Sequence, residues 1–251
     1  MEKKYEFTGE TKVIGDVVLH QIKAVRDFAD VKAKDLGGWI EKEENLSHVG
    51  NAWVSGDAKV YGNAQVSGDA KVYGNAQVSG DAKVSGNAQV YGNAEVYGNA
   101  QVYGNAQVYG NAQVYGDAKV SGNAWVSGDA KVYGNAQVYG NAWVSDDAKV
   151  SGDAEVYGDA KVSGDARVAK KTHVFQIGPI GSRNGVTTFY RTKDNGISVT
   201  CGCFNGNIDD FEKRVQEVHG ENKHGRVYAL AIAMAREQIE LDDEDVEEED
   251  E

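Results

Sequence analysis

The amino-acid sequence predicts a mainly β protein: a parallel β-helix solenoid with a small N-terminal β cap and a C-terminal α+β module. Three observations carry that prediction. Val recurs at every sixth position from Val54 to Val168, and Ala stands two residues before each of them from Ala52 to Ala166. Between successive units lies Gly followed by Asn or Asp, with Asp146 the single replacement for Gly.

A six-residue step on an α-helix advances about 600°, so these valines would scatter around the axis instead of forming a stripe. Six is a multiple of the strand period of two, and residues two apart point to the same side of an extended segment. Gly followed by Asn or Asp tolerates positive φ and marks a turn, so each hexad reads as one short strand plus one corner. Three sides are the fewest that close a coil. An eighteen-residue triangular coil leaves an interior that only small side chains such as Val and Ala can fill. Stacked at about 4.8 Å, twenty hexads make nearly seven coils and a rod on the order of 30 Å long.

The pattern V-[YS]-G-[ND]-A-x resembles the hexapeptide repeat of the left-handed β-helix superfamily over about half of the chain. That resemblance implies a left-handed coil, against the general right-handed preference of parallel crossovers.

Taken in order, residues 1–49 are expected to cap the solenoid, with Leu46 in the position that Ala occupies later. The hexads fill 50–169, a small α+β module fills 170–240, and 241–251 form an acidic, disordered tail. In the module, a strand from His173 to Ile177 leads into the Gly-rich loop GPIGSRNG, and further strands run over Thr187–Lys193 and Ile197–Phe204. Asn195-Gly196 is a strong signal for a two-residue hairpin turn. A helix starts near Asn207, buries Ile208, Phe211, Val215 and Val218 and stops at Gly220, and a second spans roughly Arg226 to Leu241.

The net charge of −13 comes mostly from residues 240–251, which hold ten acids and no base, so it is no sign of a basic partner, and nucleic acid is not an expected one. The N-terminus lacks the apolar core of a signal peptide, and no apolar run is long enough to span a membrane. A soluble cytoplasmic protein without membrane partners is expected. Cys201 and Cys203 are too few for a disulfide framework or a four-ligand zinc site, and strand alternation places both on a buried face with Ile197 and Val199. No metal and no cofactor are expected.

The superfamily is best known for acyltransferases and carbonic-anhydrase-like enzymes, whose catalytic or metal-binding histidines sit on loops leaving the coils. Here His20, His48, His173, His219 and His224 all lie outside the repeat and no loop interrupts it, so a non-enzyme is expected. The repeat also lacks the Thr ladders suited to ice and the GGxGxD nonapeptide of calcium-binding β-rolls. Tyr91, Tyr97, Tyr103, Tyr109 and Tyr115 form a weakly charged belt, a candidate self-association surface for a homo-oligomer, with a trimer the usual superfamily outcome.

The stretch DVKAKDLGGWIEKEENLS and the block from IGPIGSRNG to TTFYRTKDNGISVTCGCF resemble segments around hexapeptide repeats in uncharacterised phage and prophage proteins of Gram-positive bacteria. The resemblance implies a phage setting and no particular activity. The leading expectation is a non-enzymatic binding protein, a counter-defence factor that sequesters a nucleotide-like signal or blocks a host protein. A structural spacer or an acyltransferase-like enzyme are the alternatives. With Asn195-Gly196 as a two-residue turn, Lys193 would face Ser198, Arg191 would face Thr200 and Phe189 would face Gly202. One sheet face would then offer an anionic ligand two cations, two hydroxyls, a ring and an open glycine, with Ser182 and Arg183 closing over it.

Overall fold

A computed structural model describes residues 2–241. The tail expected over 241–251 therefore lies, apart from Leu241, outside the described residues. The hexads form twenty two-residue strands, from Trp53–Val54 (β4) to Arg167–Val168 (β23), each made of one outward residue followed by Val. Val90 pairs in parallel with Val72 below and Val108 above, which is the expected eighteen-residue coil. The strands fall into three sheets, and the whole is a parallel β-solenoid of about seven turns. The repeat valines and alanines are at most 1% exposed and make one continuous core.

The corners show why Gly and Asn/Asp recur. Gly98 has φ +68°, and a Cβ there would stand 3.0 Å from the backbone nitrogen of Gly116 one coil on. Both the left-handed conformation and the close approach of corner to corner disfavour a side chain, and Asp146, at φ +59°, is the one corner that carries one. The next residue makes a ladder: Asn87 donates to Asn105 at 3.1 Å, Asn105 to Asn123 at 3.0 Å, Asn123 to Asn141 at 3.0 Å, and Asn141 to Asp159 at 2.9 Å. An amide both donates and accepts, whereas a carboxylate only accepts, so Asp fits where the ladder ends.

The N-terminal segment folds as an antiparallel hairpin, β1 (Tyr5–Ile14) and β2 (Val17–Ala24), followed by β3 (Leu36–Ile40). β3 pairs antiparallel with β2 and parallel with β5 (Lys59–Val60), extending one solenoid sheet to ten strands. Its register differs from that of the hexads: Ile40 lies beside Val60 and Leu46 beside Val66, a spacing of twenty rather than eighteen. Leu46 thus takes a Val position, not the expected Ala position. Its larger side chain fills the strand centre of a coil with none below it, and the two surplus residues are taken up before Trp53.

This first coil is sealed by a polar plug. Lys4 is wholly buried, with its Nζ donating to the Ala52 carbonyl at 2.7 Å and lying 5.2 Å over the Phe28 ring. Tyr5 donates to the Leu46 carbonyl at 2.8 Å and stacks on His48 at 4.3 Å. These contacts satisfy carbonyls that would otherwise point at an absent coil.

The C-terminal module is a four-stranded antiparallel meander, β24 (Val174–Ile180), β25 (Gly185–Arg191), β26 (Ile197–Cys201) and β27 (Phe204–Asn207), then α1 (Ile208–His219) and α2 (Lys223–Gln238). Asn207 caps α1 as expected, its side chain accepting from the Asp210 amide at 2.8 Å, and Gly220 follows its end. Ile208, Phe211 and Val215 are buried, but Val218 is 54% exposed, since α2 is tied through Arg236 to Asp209 and Glu212, which lie on a different side of α1. α2 starts three residues earlier than expected, where the Asn222 side chain accepts from the His224 and Gly225 amides.

Two predictions follow from this packing. Gly98→Ala should lower unfolding free energy in urea by about 1–3 kcal/mol, from positive-φ strain and the corner clash. Burial, then the Arg26 charge, lowers the Lys4 pKa from its usual 10.5 to about 8. Between these values the unfolded chain binds a proton that the folded one does not, so stability rises with pH across that window. Burial holds Tyr5, Tyr73 and Tyr91 above the usual tyrosine value of 10.0, so above it the unfolded chain sheds protons that the folded chain keeps, and stability falls. Urea midpoints should therefore climb from about pH 8 toward pH 10 and then drop, and Lys4→Met should flatten the climb.

Candidate functional site

A concave feature that takes in two of the expected ligand residues lies where the last coil meets the meander. It is a cleft of about 310 Å³ whose floor is Asp159 and Lys161 from the solenoid and whose walls include Asn184, Gly185, Thr200 and Gly202. Its position follows from the solenoid's termination. β22 (Lys161–Val162) is the last strand of its sheet, so its outer backbone edge has no coil to pair with. Thr188 supplies the missing partner, its Oγ1 accepting the Lys161 N–H at 3.1 Å. Ser163 Oγ lies 3.3 Å from the Tyr190 hydroxyl, and Asn205 donates to Ser163 Oγ at 3.1 Å.

The hairpin register differs from the expectation by three residues. Arg191 pairs with Ile197, Phe189 with Val199 and Thr188 with Thr200, so Asn195-Gly196 sits inside a longer loop, not a two-residue turn. The solenoid decides this. Ala166 bridges Thr192 and the Lys193 N–H donates to the Asp165 carbonyl at 3.1 Å, so these two residues leave the hairpin to cap the last coil. Asn195 keeps its positive φ of 54°, and its side chain accepts from Arg191 Nε at 3.1 Å.

An odd shift exchanges the faces of a strand. Phe189 and Arg191 now share the face of Ile197 and Val199, where Phe189 packs in the helix-side core with Phe211 and Ile232, and Arg191 is 9% exposed. Ser198 and Thr200 lie on the opposite face, toward the solenoid, paired with Tyr190 and Thr188. The expected single ligand face is therefore split. Of its residues, Thr200 and Gly202 line the cleft, and Ser182 and Arg183 are exposed in the turn that leads to Asn184. Lys193 is exposed in the hairpin loop. Cys201 is half-buried near the helices, whereas Cys203 is exposed in the turn between β26 and β27, not on the buried face expected for it.

Asp159 and Lys161 were not among the sequence candidates. The available signal was positional: they lie within eighteen residues of the last repeat valine, where no further coil stacks above them.

The tyrosines are distributed over three edges and used within the chain. Tyr91 stacks between Tyr73 and Tyr109 at 4.8 and 5.0 Å, and Tyr97 stacks on Tyr115 at 4.8 Å. Tyr103, flanked along its edge by Ser85 and Ser121, is 40% exposed. His173 is buried, its Nδ1 accepting the Ala169 N–H at 3.1 Å, and His48 Nδ1 accepts the Lys4 N–H at 3.2 Å. His219 and His224 lie 5.8 Å apart at the junction of the two helices. Among the described residues no group of three or more His, Cys, Asp or Glu could hold a metal ion, and no helix is long and apolar enough to cross a membrane.

The coils match a known repeat. Seven stretches, 64–80, 76–92, 88–104, 100–116, 112–128, 130–146 and 136–152, match the family described as YdcK beta solenoid repeat. A 39-residue stretch is also 49% identical to a protein of Escherichia coli (strain K12) named uncharacterized acetyltransferase YdcK, over 16% of this chain and 12% of that protein. These likenesses support a hexapeptide-repeat β-helix family for the rod. The matched repeats end at residue 152, before the cleft begins.

Thr188→Val keeps the shape of the side chain and leaves the Lys161 N–H without its acceptor. It should cost about 1–3 kcal/mol in urea unfolding, and Thr188→Ser should recover most of the loss.

Proposed function

We propose that this protein is a non-catalytic binding protein whose rod holds the C-terminal module in place and whose cleft takes a nucleotide-like anion. The observation that carries this reading is the pairing of charges and open backbone in the cleft. Lys161 supplies a cation, and Arg183 is exposed in the turn that leads into the wall. Asp159 would repel a simple anion, yet its carboxylate can accept from the hydroxyls or amino group of a nucleotide, which carries donors beside its phosphate. A Cβ at Gly185 or Gly202 would meet no atom within 4 Å, so a ligand can reach the backbone there.

The finer version, sequestration of a host nucleotide signal as counter-defence, rests on the resemblance of both terminal segments to phage and prophage proteins. Calorimetry with mono-, di- and cyclic nucleotides tests the site. At least one should bind, and Lys161→Ala and Arg183→Ala should each weaken it by roughly tenfold or more, the loss expected for a charge-assisted hydrogen bond. No binding across the panel, or binding indifferent to both substitutions, refutes the site.

A second reading rests on the likeness of 39 residues to the Escherichia coli protein named an acetyltransferase. If the chain is an acetyltransferase, acetyl-CoA incubated with small amine and hydroxyl acceptors should release free thiol, and His219→Ala should stop the release. Such turnover would replace the binding reading.

A further inference from the structure

The outer row of the seven-stranded solenoid sheet is, in order along the rod, Trp53, Lys71, Gln89, Gln107, Trp125, Trp143 and Lys161, with Trp53 buried against Phe28 and Tyr5. Between the two lysines this row carries no charge. The corner on one side of it is the amide ladder Asn87, Asn105, Asn123 and Asn141, and the edge on the other side holds Tyr91, Tyr109, Ser127 and Ser145. Over the same coils the outward rows of the other two sheets carry Glu95 and Lys131, and Lys83 and Lys119. One side of the rod is thus set apart by uncharged amides, hydroxyls and aromatic rings.

Its aromatic rings change geometry part-way along. Tyr73, Tyr91 and Tyr109 lie flat on one another, with interplanar angles of 2° and 4°, so their faces cover each other. Trp125 instead meets Tyr109 at 75° and Trp143 at 68°, and remains 39% exposed. The Trp143 indole is fixed by Nε1 donating to Ser127 Oγ at 3.2 Å. Edge-to-face contacts do not cover ring faces pairwise as flat stacking does, so aromatic surface remains for a ligand.

We propose that this face binds a neutral oligosaccharide. A sugar ring has an apolar C–H face bordered by hydroxyls, and the site offers matching chemistry: an indole surface flanked by groups that each donate and accept. Asn105, Asn123 and Asn141 each use one of two N–H donors and one of two oxygen lone pairs on their neighbours, which leaves one of each for a hydroxyl, and Asn87, above Asp69, uses only a donor in the ladder. Coils repeating about every 4.8 Å present these groups periodically, as a polymer of similar units requires. The patch lacks the cations that a polyanion needs. Four coils by about 10 Å of strand width give roughly 200 Å², well short of the ~800 Å² per partner of a standard protein interface, so a second copy of the chain is a poorer fit. This site is separate from the cleft, and Lys161, 5.7 Å over the Trp143 ring, marks the boundary between them.

The test is titration of the full chain with maltohexaose, cellohexaose, laminarihexaose and chitohexaose, read by tryptophan fluorescence and calorimetry. Trp125→Gln and Trp143→Gln install the residue that the same row already has at Gln89 and Gln107, and circular dichroism confirms that each variant is folded. At least one sugar should bind saturably, with tenfold or greater weakening in Trp125→Gln and no change in Tyr103→Ser, on another edge, or in Arg183→Ala, beside the cleft. No binding to any of the four, or binding indifferent to both tryptophan substitutions, overturns the proposal. So does a fall in sedimentation mass of Trp125→Gln without any effect of sugar, which would mark the face as a self-contact.

Discussion

The rod and both its ends answer to one constraint, that each hexad coil must hydrogen-bond to the next at β-sheet spacing after eighteen residues. At that spacing identical side chains are placed directly over one another, so each position must suit a neighbour of its own kind. Val and Ala satisfy this by packing, tyrosine by stacking, and asparagine by donating to the residue above while accepting from the one below. Glycine satisfies it by having nothing to collide with, since the Gly98 and Gly116 corners approach within the radius of a side chain. Charges satisfy it poorly, and the central coils have few of them.

The same constraint makes the ends costly, because a terminal coil exposes one unpaired backbone edge. The chain meets this with different chemistry at each end. Below, a buried lysine and a tyrosine hydroxyl reach carbonyls of the first coils. Above, a sheet is laid across the last coil, with Thr188 and the Lys193 amide supplying an acceptor and a donor. A twisted antiparallel sheet cannot match a triangular coil at every point, and the candidate cleft is the space left between them. Function is therefore proposed at a boundary between two architectures, where polar groups from both converge without a repeat to satisfy them.

How far the sequence could be read depended on whether a residue's partner was local or periodic. The solenoid was legible because each valine's neighbours are known once the period is known. The α1 cap was legible because Asn207 and Asp210 lie within one turn. The hairpin was not, because the local preference of Asn195-Gly196 for a two-residue turn lost to pairing of Thr192 and Lys193 with the last coil, a contact between elements. Leu46 was misplaced by two residues because the regular spacing was extended past the point where it holds. Asp159 and Lys161 escaped notice because they look like any other hexad residues, and only their place at the end of the rod gives them a cleft to line.

The amide ladders have a direction. Each asparagine side chain donates toward the C-terminal end, and the longest ladder begins above Asp69 and stops at Asp159. A coil copied from the middle could be inserted anywhere among its neighbours, because an asparagine continues the chain whichever asparagine precedes it. A coil copied from an Asp-bearing end would break it. On this ladder, lengthening by tandem duplication is thereby tolerated between Asn87 and Asn141 and resisted at Asp69 and Asp159, whereas another corner row already alternates, with Asp81, Asp117 and Asp153 each ending an amide pair. Each added copy would move the C-terminal module outward by one strand spacing without turning it, so the rod behaves as an extensible ruler whose graduations are set by the hydrogen bond.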